Sequence, residues 1–577
     1  MAFSLTSVWS LALLLPIVLA VWLFVVLVTP QLARFRFRGD LTWYDLGLYG
    51  FAPARSYNSF EYESPRFEFL QTDARCSRDY LFLAPRGDSI PEPAGMIVDP
   101  EGELVWRNFG LQGITQDFRV QTYRGENFLT FWVGEERDGR KQGSWYMLDS
   151  SYTLRYAVIP GGNVTGDMHE FQLTPSDTAL ITIYHPIPGD LSGIGGPVDG
   201  WILDGVFQEI DIETGNVLFE WRASEHIPVD RTFKTLQGCQ RSEASAFTGC
   251  GEDESAAFDF YHINSIDKDS RGNYLVSGRH TFTVSYVDGR TGAVLWNLGG
   301  KENDFHDLSD GAATDFSWQH HARWYGDSAV TLFDNSADDN SDPSVESRAL
   351  VIDLGLQKND HLSAKLRTVF HNPQRMEAAS QGSVQILSDS GTVLVGWGHS
   401  AAFTEFAAAD GRLLCDAHFG ASAYFTFGRV SSYRVFKGKW TGHPREPPNA
   451  VILDRILYVS WNGATEVTQW QVEVTNADDD NDSLPGESFI LSQVYKDGFE
   501  TEIPLPDSLG RSLVRVVALN AAGDVLGRSE LLEVPAEAVR GPEKRIILLT
   551  GGISSSTQLV SLLSHHLLIS TVMTTTS

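Results

Sequence analysis

Five histidines and one arginine stand out in the middle of this 577-residue chain. His169 lies in "GDMHEFQLT", His262 in "FYHINSIDKD", Arg279 and His280 in "LVSGRHT", and His320 and His321 in "WQHHARW". A neutral imidazole is a nucleophile or a general acid–base near neutral pH. A guanidinium matches the oxygens of an oxyanion in pairs. Brought together, these side chains make a pocket for an anionic, multi-oxygen group. A single histidine among aromatics is more often a hydrogen-bonded core residue; matched positions in successive repeats are what point to a site. The doublet after Gln319 adds a question. On a regular strand neighbouring side chains point to opposite faces, so only one of His320 and His321 can face a shared centre.

The elements that must position these residues recur from about residue 90 to 420. Each copy reads strand, turn, strand, then an Asp–Gly or Thr–Gly turn and a strand rich in aromatics. The turn-and-exit halves include "MIVDPEGELVWRN" from Met96, "EIDIETGNVLFEWRA" from Glu209, "SYVDGRTGAVLWNLGG" from Ser285 and "EFAAADGRLLCDAHFG" from Glu405. Six such units predict an all-β fold, a six-bladed β-propeller over 60–445. The innermost strands of a propeller share one central channel, which is how histidines tens of residues apart would converge. The segment around Cys76 is expected to complete the last blade, with a Cys76–Cys415 bridge clipping the ring shut. After "PREPPNA" the strands "ILYVSWNGATEVTQWQVEV" and "RSLVRVVALNAAGDVLGRSELLEV" predict a β-sandwich over 447–540, similar to a fibronectin type III module. Residues 541–577 form a tail. The acidic run Asp478–Asp482 lacks the full calcium-loop pattern and reads as a solvated loop.

A net charge of -30 argues against nucleic acid as the main partner, because phosphate backbones demand clustered Lys and Arg. No Walker-type loop, no dinucleotide fingerprint, no HExxH or CxxC spacing and no GxSxG elbow occurs. The expected chemistry therefore uses no cofactor and no metal.

Val8 to Thr29 holds no charged residue and is long enough to span a bilayer core. It is long for a signal-peptide core and lacks a small-x-small cleavage site, which favours an N-terminal transmembrane anchor within residues 1–40. Arg34, Arg36 and Arg38 follow it and would hold the C-terminal side in the cytosol. The four cysteines, with Cys239 and Cys250 bracketing a short polar loop, and the sequons at Asn163 and Asn481 point the other way. The reading adopted is a single-pass membrane protein with a lumenal or extracellular body.

At its histidine segments the chain resembles the arylsulfotransferase family, in particular its fungal-type branch. The resemblance covers roughly residues 75–445. It is carried by "MHEFQLTPSDTALIT", "YHINSIDKDSRGNYLVSGR", "LWNLGGKENDF", "FSWQHHARW" with "LFDN", "GSVQILSDSGTVLVGWG" and "YRVFKGKWTGHPREPP". It implies a propeller that moves a sulfuryl group between phenols without a nucleotide donor, through a sulfated histidine. By position, His320 would be the nucleophile, His262 would bind or protonate the leaving phenolate, Arg279 would hold sulfate oxygens, and His169 would complete the cluster. The implied partner is a small phenol or aryl sulfate. The residue after the nucleophile is usually small and polar or acidic in that family, whereas here it is His321. That leaves His321 facing into its own or the neighbouring blade. Two rival readings are a different biosynthetic enzyme using histidine acid–base chemistry on the same scaffold, and a membrane-anchored propeller that only binds.

Overall fold

The computed structural model describes residues 41–535, apart from 112, 138–139, 237–248, 338–344, 357–360, 477–487 and 511. The predicted span, Cys239, Asn481, the acidic run and the tail lie outside the described residues. Among the described residues no helix is long and apolar enough to cross a membrane.

The fold is all-β. Between residues 80 and 438 the strands of the described residues group into six four-stranded antiparallel meanders. In chain order their leading strands are β1 (Ile114–Tyr123), β2 (Gly166–Leu173), β3 (Ile263–Lys268), β4 (His320–Trp324), β5 (Ser383–Leu387) and β6 (Val435–Gly438). Each leading strand touches the next, and β6 touches β1, so the six form a closed ring of neighbours. The meanders led by β1 and β2 are joined into one sheet through Gly166 opposite Gly143.

The repeated Asp–Gly signal has a local cause. Asp99 Oδ1 accepts the backbone N–H groups of Glu101 and Glu103, and Asp269 Oδ1 those of Arg271 and Asn273. Gly102 and Gly272 close these turns at φ 85° and 87°, a conformation cheap only for glycine. Between the turns, apolar residues pack one meander on the next. Leu275, Val284 and Trp296 of one share a core with Val330, Leu350 and Ile352 of the following one.

The two ends of this region meet in one sheet. β6 pairs with Tyr80–Leu83, which continues to Met96–Val98 and Leu104–Arg107. Glu68–Gln71 adds to the outer edge of the β5 meander beside Leu413–His418, and Cys76 is bonded to Cys415 across 339 residues. Cys250 is also in a disulfide. Asn163, the described sequon, is exposed.

Residues 449–533 form a three-stranded and a five-stranded sheet around a core that includes the fully buried Trp470. This unit is tied back to the ring. The Asn462 side chain bonds both the N–H and the carbonyl of Arg107, and the Glu500 carboxylate accepts from Asn58 N and Ser59 Oγ.

Candidate active site on the ring axis

The leading strands are irregular where the site forms. Register shifts fall between Gln116 and Arg119, between Asp167 and Phe171, between Ile263 and Ser265, and between His320 and Arg323. Asp117, His262, Trp318, His321 and Gln381 all carry φ between 50° and 68°. Non-glycine residues hold that conformation at a cost, and such strain gathers at functional sites. A bulge re-aims the side chains beside it.

At one end of the axis the histidines converge. The His169 and His262 rings lie 4.8 Å apart between centroids, and His262 and His280 lie 4.7 Å apart. Each ring is oriented by an oxygen. His169 Nδ1 meets the Asp167 carboxylate, and His262 Nδ1 meets the Asp259 carboxylate at 2.5 Å. His280 Nδ1 donates to the Asp259 carbonyl at 2.7 Å and its Nε2 accepts from Arg279 at 2.8 Å. The Arg279 guanidinium lies 3.7 Å above the Trp318 ring. His320 Nδ1 bonds the side-chain oxygen of Asn335 at 2.7 Å, and its Nε2 accepts from the backbone N–H of Gln381 at a long 3.2 Å. That pair of bonds places the proton on Nδ1 and the lone pair on Nε2. Tyr184 and Tyr433 wall the cluster; the Tyr433 ring is 5.7 Å from His169 and 6.3 Å from His320.

Burial dominates the electrostatics here. It pushes His320 well below the usual histidine range, helped by the Arg279 charge and opposed by the Asn335 bond. Burial, then His169 and Arg279, does the same to His262, and burial alone outweighs Asp259 at His280. Burial also raises Tyr184 and Tyr433, so both stay phenols. Asp259, His262 and His280 present three potential metal ligands within 4.8 Å of one another.

Behind the histidines sits a buried ion network. Arg434 bonds Asp117 and Glu170, each at 2.9 Å, and the carbonyls of His169 and Asn264. Arg119 bonds Glu170 and the Phe171 carbonyl, and Arg323 bonds Glu170 at 2.6 Å. Burial would raise Glu170, but Arg323, Arg434 and Arg119 together bring it down to about 2.

The doublet departs from strand alternation. His321 does not turn into a blade. The bulge and its φ of 53° aim it at the other end of the axis, into a cavity of about 640 Å³. All six leading strands line that cavity, through Arg119, Gln172, Lys268, Arg323, Gln385 and Lys437. His321 Nδ1 accepts from Val384 N at 3.3 Å, and its Nε2 has no hydrogen-bond partner among the described residues. Thus both histidines face the axis, on opposite sides of the ion network.

A family model described as Arylsulfotransferase (ASST) matches residues 119–420. The chain belongs to the arylsulfotransferase family. In this member of the family the matched segment holds His169, His262, Arg279, His280, His320 and His321, while Tyr433 and Arg434 follow it. No curated protein matches the chain. Solved structures similar to it include a Bacteroides caccae protein of unknown function, 14% identical, covering 62% of this chain and 98% of its own, with a TM-score of 0.32. Others are the periplasmic gluconolactonase of Pseudomonas aeruginosa (12%, 74% and 99%, 0.32) and a β-propeller domain from Myceliophteria thermophila (11%, 69% and 98%, 0.29).

Sequence reasoning missed the residues that orient the imidazoles. Asp167 and Asp259 stand two and three positions before His169 and His262, a visible signal. Asn335 ends the "LFDN" segment and Tyr433–Arg434 open "YRVFKGKW", but nothing local marks their roles.

Proposed function

We propose that this arylsulfotransferase moves a sulfuryl group between phenols through His320, without a nucleotide. The observation that carries the reading is the state of His320. It is buried and neutral, its proton is fixed on Nδ1 by Asn335, and among the described residues its Nε2 lone pair is held by the long bond from Gln381. Opening that bond frees Nε2 to attack sulfur. The N–S bond forms as the S–O(aryl) bond breaks, and the electron pair leaves on the phenolate. The positive charge of the sulfated ring stays on its Nδ1–H, facing Asn335. Arg279 steadies the negative oxygens, where charge-stabilising donors are worth most. In the second half, His262, neutral and with its proton on the Asp259 side, takes up the proton of the acceptor phenol as the new S–O bond forms and then releases it to solvent, where the first phenolate has already taken one up. The acceptor oxygen then takes the sulfuryl group and restores His320.

The same reading treats the six meanders as blades of a propeller, the 449–533 unit as fibronectin III-like, and the body as lumenal behind an N-terminal anchor. The ring of leading strands supports the blades, and the uncharged stretch Val8–Thr29 supports the anchor. The test is incubation with an aryl sulfate and a second phenol, followed by peptide mapping. Transfer with sulfate on His320 is expected; equal transfer by wild type and His320→Ala would overturn the assignment. The two carboxylate–imidazole dyads favour one rival, acid–base chemistry on an unsulfated phenolic metabolite. Under it His262→Ala abolishes turnover while no sulfohistidine forms.

A further inference from the structure

The first described residues form a turn that shows aromatic side chains to solvent. Trp43, Leu48, Tyr49 and Phe51 are exposed, Trp43 by 70% and Tyr49 by 57%. The turn is built to hold them there. Tyr44 is buried and donates to the Arg66 carbonyl at 2.6 Å, and buried Asp45 pairs with His418 at 2.8 Å. The Ala423 N–H bonds the Asp45 carbonyl and that of Ala421 bonds the Phe51 carbonyl. Arginines stand over two of the rings, Arg66 over Tyr49 and Arg429 over Phe51.

This turn lies at the histidine end of the axis. It rests on the loop after Leu413–His418, and that loop runs on to Tyr433, the wall of the histidine cluster. Other loops at the same end, those after the second strands of the β2 and β4 meanders and the one leading into β3, expose Val198, Val345 and Phe233. Isolated apolar residues on a surface need no explanation, but four within nine residues, pinned from beneath, do.

The chain itself indicates what covers them. The uncharged stretch Val8–Thr29 has the length of a bilayer core, and only Pro30–Asp40 separates it from the turn. Eleven residues reach at most about 40 Å even fully extended. Trp and Tyr favour the membrane interface, the depth at which the end of such a span leaves the turn.

We infer that the histidine end of the ring lies against a phospholipid bilayer, with Trp43, Leu48, Tyr49 and Phe51 in its interface. Resting on the sulfuryl-transfer reading, the substrate class is then a lipophilic phenol that enters the channel from the membrane rather than from water.

The experiment uses the full chain reconstituted into vesicles of phosphatidylcholine and phosphatidylglycerol, with and without brominated acyl chains. Bromine is expected to quench wild-type emission more than that of Trp43→Phe, the difference reporting Trp43 at the interface. In the same vesicles a variant with Trp43, Leu48, Tyr49 and Phe51 all changed to Ser should raise KM for a long-chain alkylphenol about tenfold. Its KM for a water-soluble phenol should not change. Equal quenching of wild type and Trp43→Phe overturns the docked face, whatever the activity. Unequal quenching with KM unchanged for both phenols overturns the lipid route. Unequal quenching with no transfer to any phenol upholds the docked face and overturns the sulfuryl-transfer reading instead.

Discussion

The two sides of the axis are equally buried and equally polar, yet they are built for different ends. Around Arg434 every charge meets an opposite charge, and the bonds tie together groups on four leading strands, β1 to β4. Such a network fixes geometry, and removing any member strands a buried charge. Among His169, His262, His280 and His320, each ring is held at Nδ1 by an oxygen while its Nε2 edge turns to other rings, a guanidinium or one long bond. A buried charge matched on every side is framework; an imidazole whose Nε2 is held by one long bond, as in His320, is available for reaction.

The sharpest way to break this contrast is to cut both sides. His320→Ala should lower transfer about a thousandfold or more, as loss of a nucleophile does, with the melting temperature almost unchanged. Steady-state rates and calorimetry on the same sample check both halves. Arg434→Met should do the reverse in kind, costing about 3–5 kcal/mol of stability by leaving Asp117 and Glu170 unpaired, as read from denaturant midpoints. Cys76→Ser with Cys415→Ser should cost about 2–4 kcal/mol on the same axis while sparing turnover per folded molecule. The pH dependence has a definite sign. The folded-state pKa values of His262, His280, His320 and His321 lie below the ordinary 6.5, so below that pH the unfolded chain binds more protons than the folded one. Stability should therefore be flat above pH 6.5 and fall as pH drops below it, which thermal melts across pH 5–8 will register. The smallest effect belongs to the doublet. His321→Asn should change transfer less than about threefold, because it faces the far cavity across the ion network. A loss like that of His320→Ala would erase the proposed division.

Much of this was legible in the sequence. The Asp–Gly turns and alternating strands announce repeated hairpins, since both signals are local. The histidines stood out by type and by recurrence. The direction of His321 was not legible, because a bulge depends on what the strand packs against and not on its own residues. Asp117, Arg119, Glu170 and Arg434 were invisible for another reason. In a chain with 74 acidic and 44 basic residues, a charge destined for the centre looks like any surface charge. The expected Cys76–Cys415 bridge is present, but the ring closes mainly through β6 joining Tyr80–Leu83, a pairing between short apolar strands that resemble many others.

That last pairing sets a timetable for the ribosome. Tyr80–Leu83 has no inner neighbour until Val435–Gly438 has been made, so the ring cannot close while most of it is being translated. At 5–20 residues per second the interval is roughly 20–70 s, during which apolar strand edges wait unpaired. Pairing over such sequence distance is also intrinsically slow. Production of this protein should therefore depend strongly on chaperones that shield nascent β-strands, and on an oxidant that seals Cys76 to Cys415 once Leu413–His418 has paired with Glu68–Gln71.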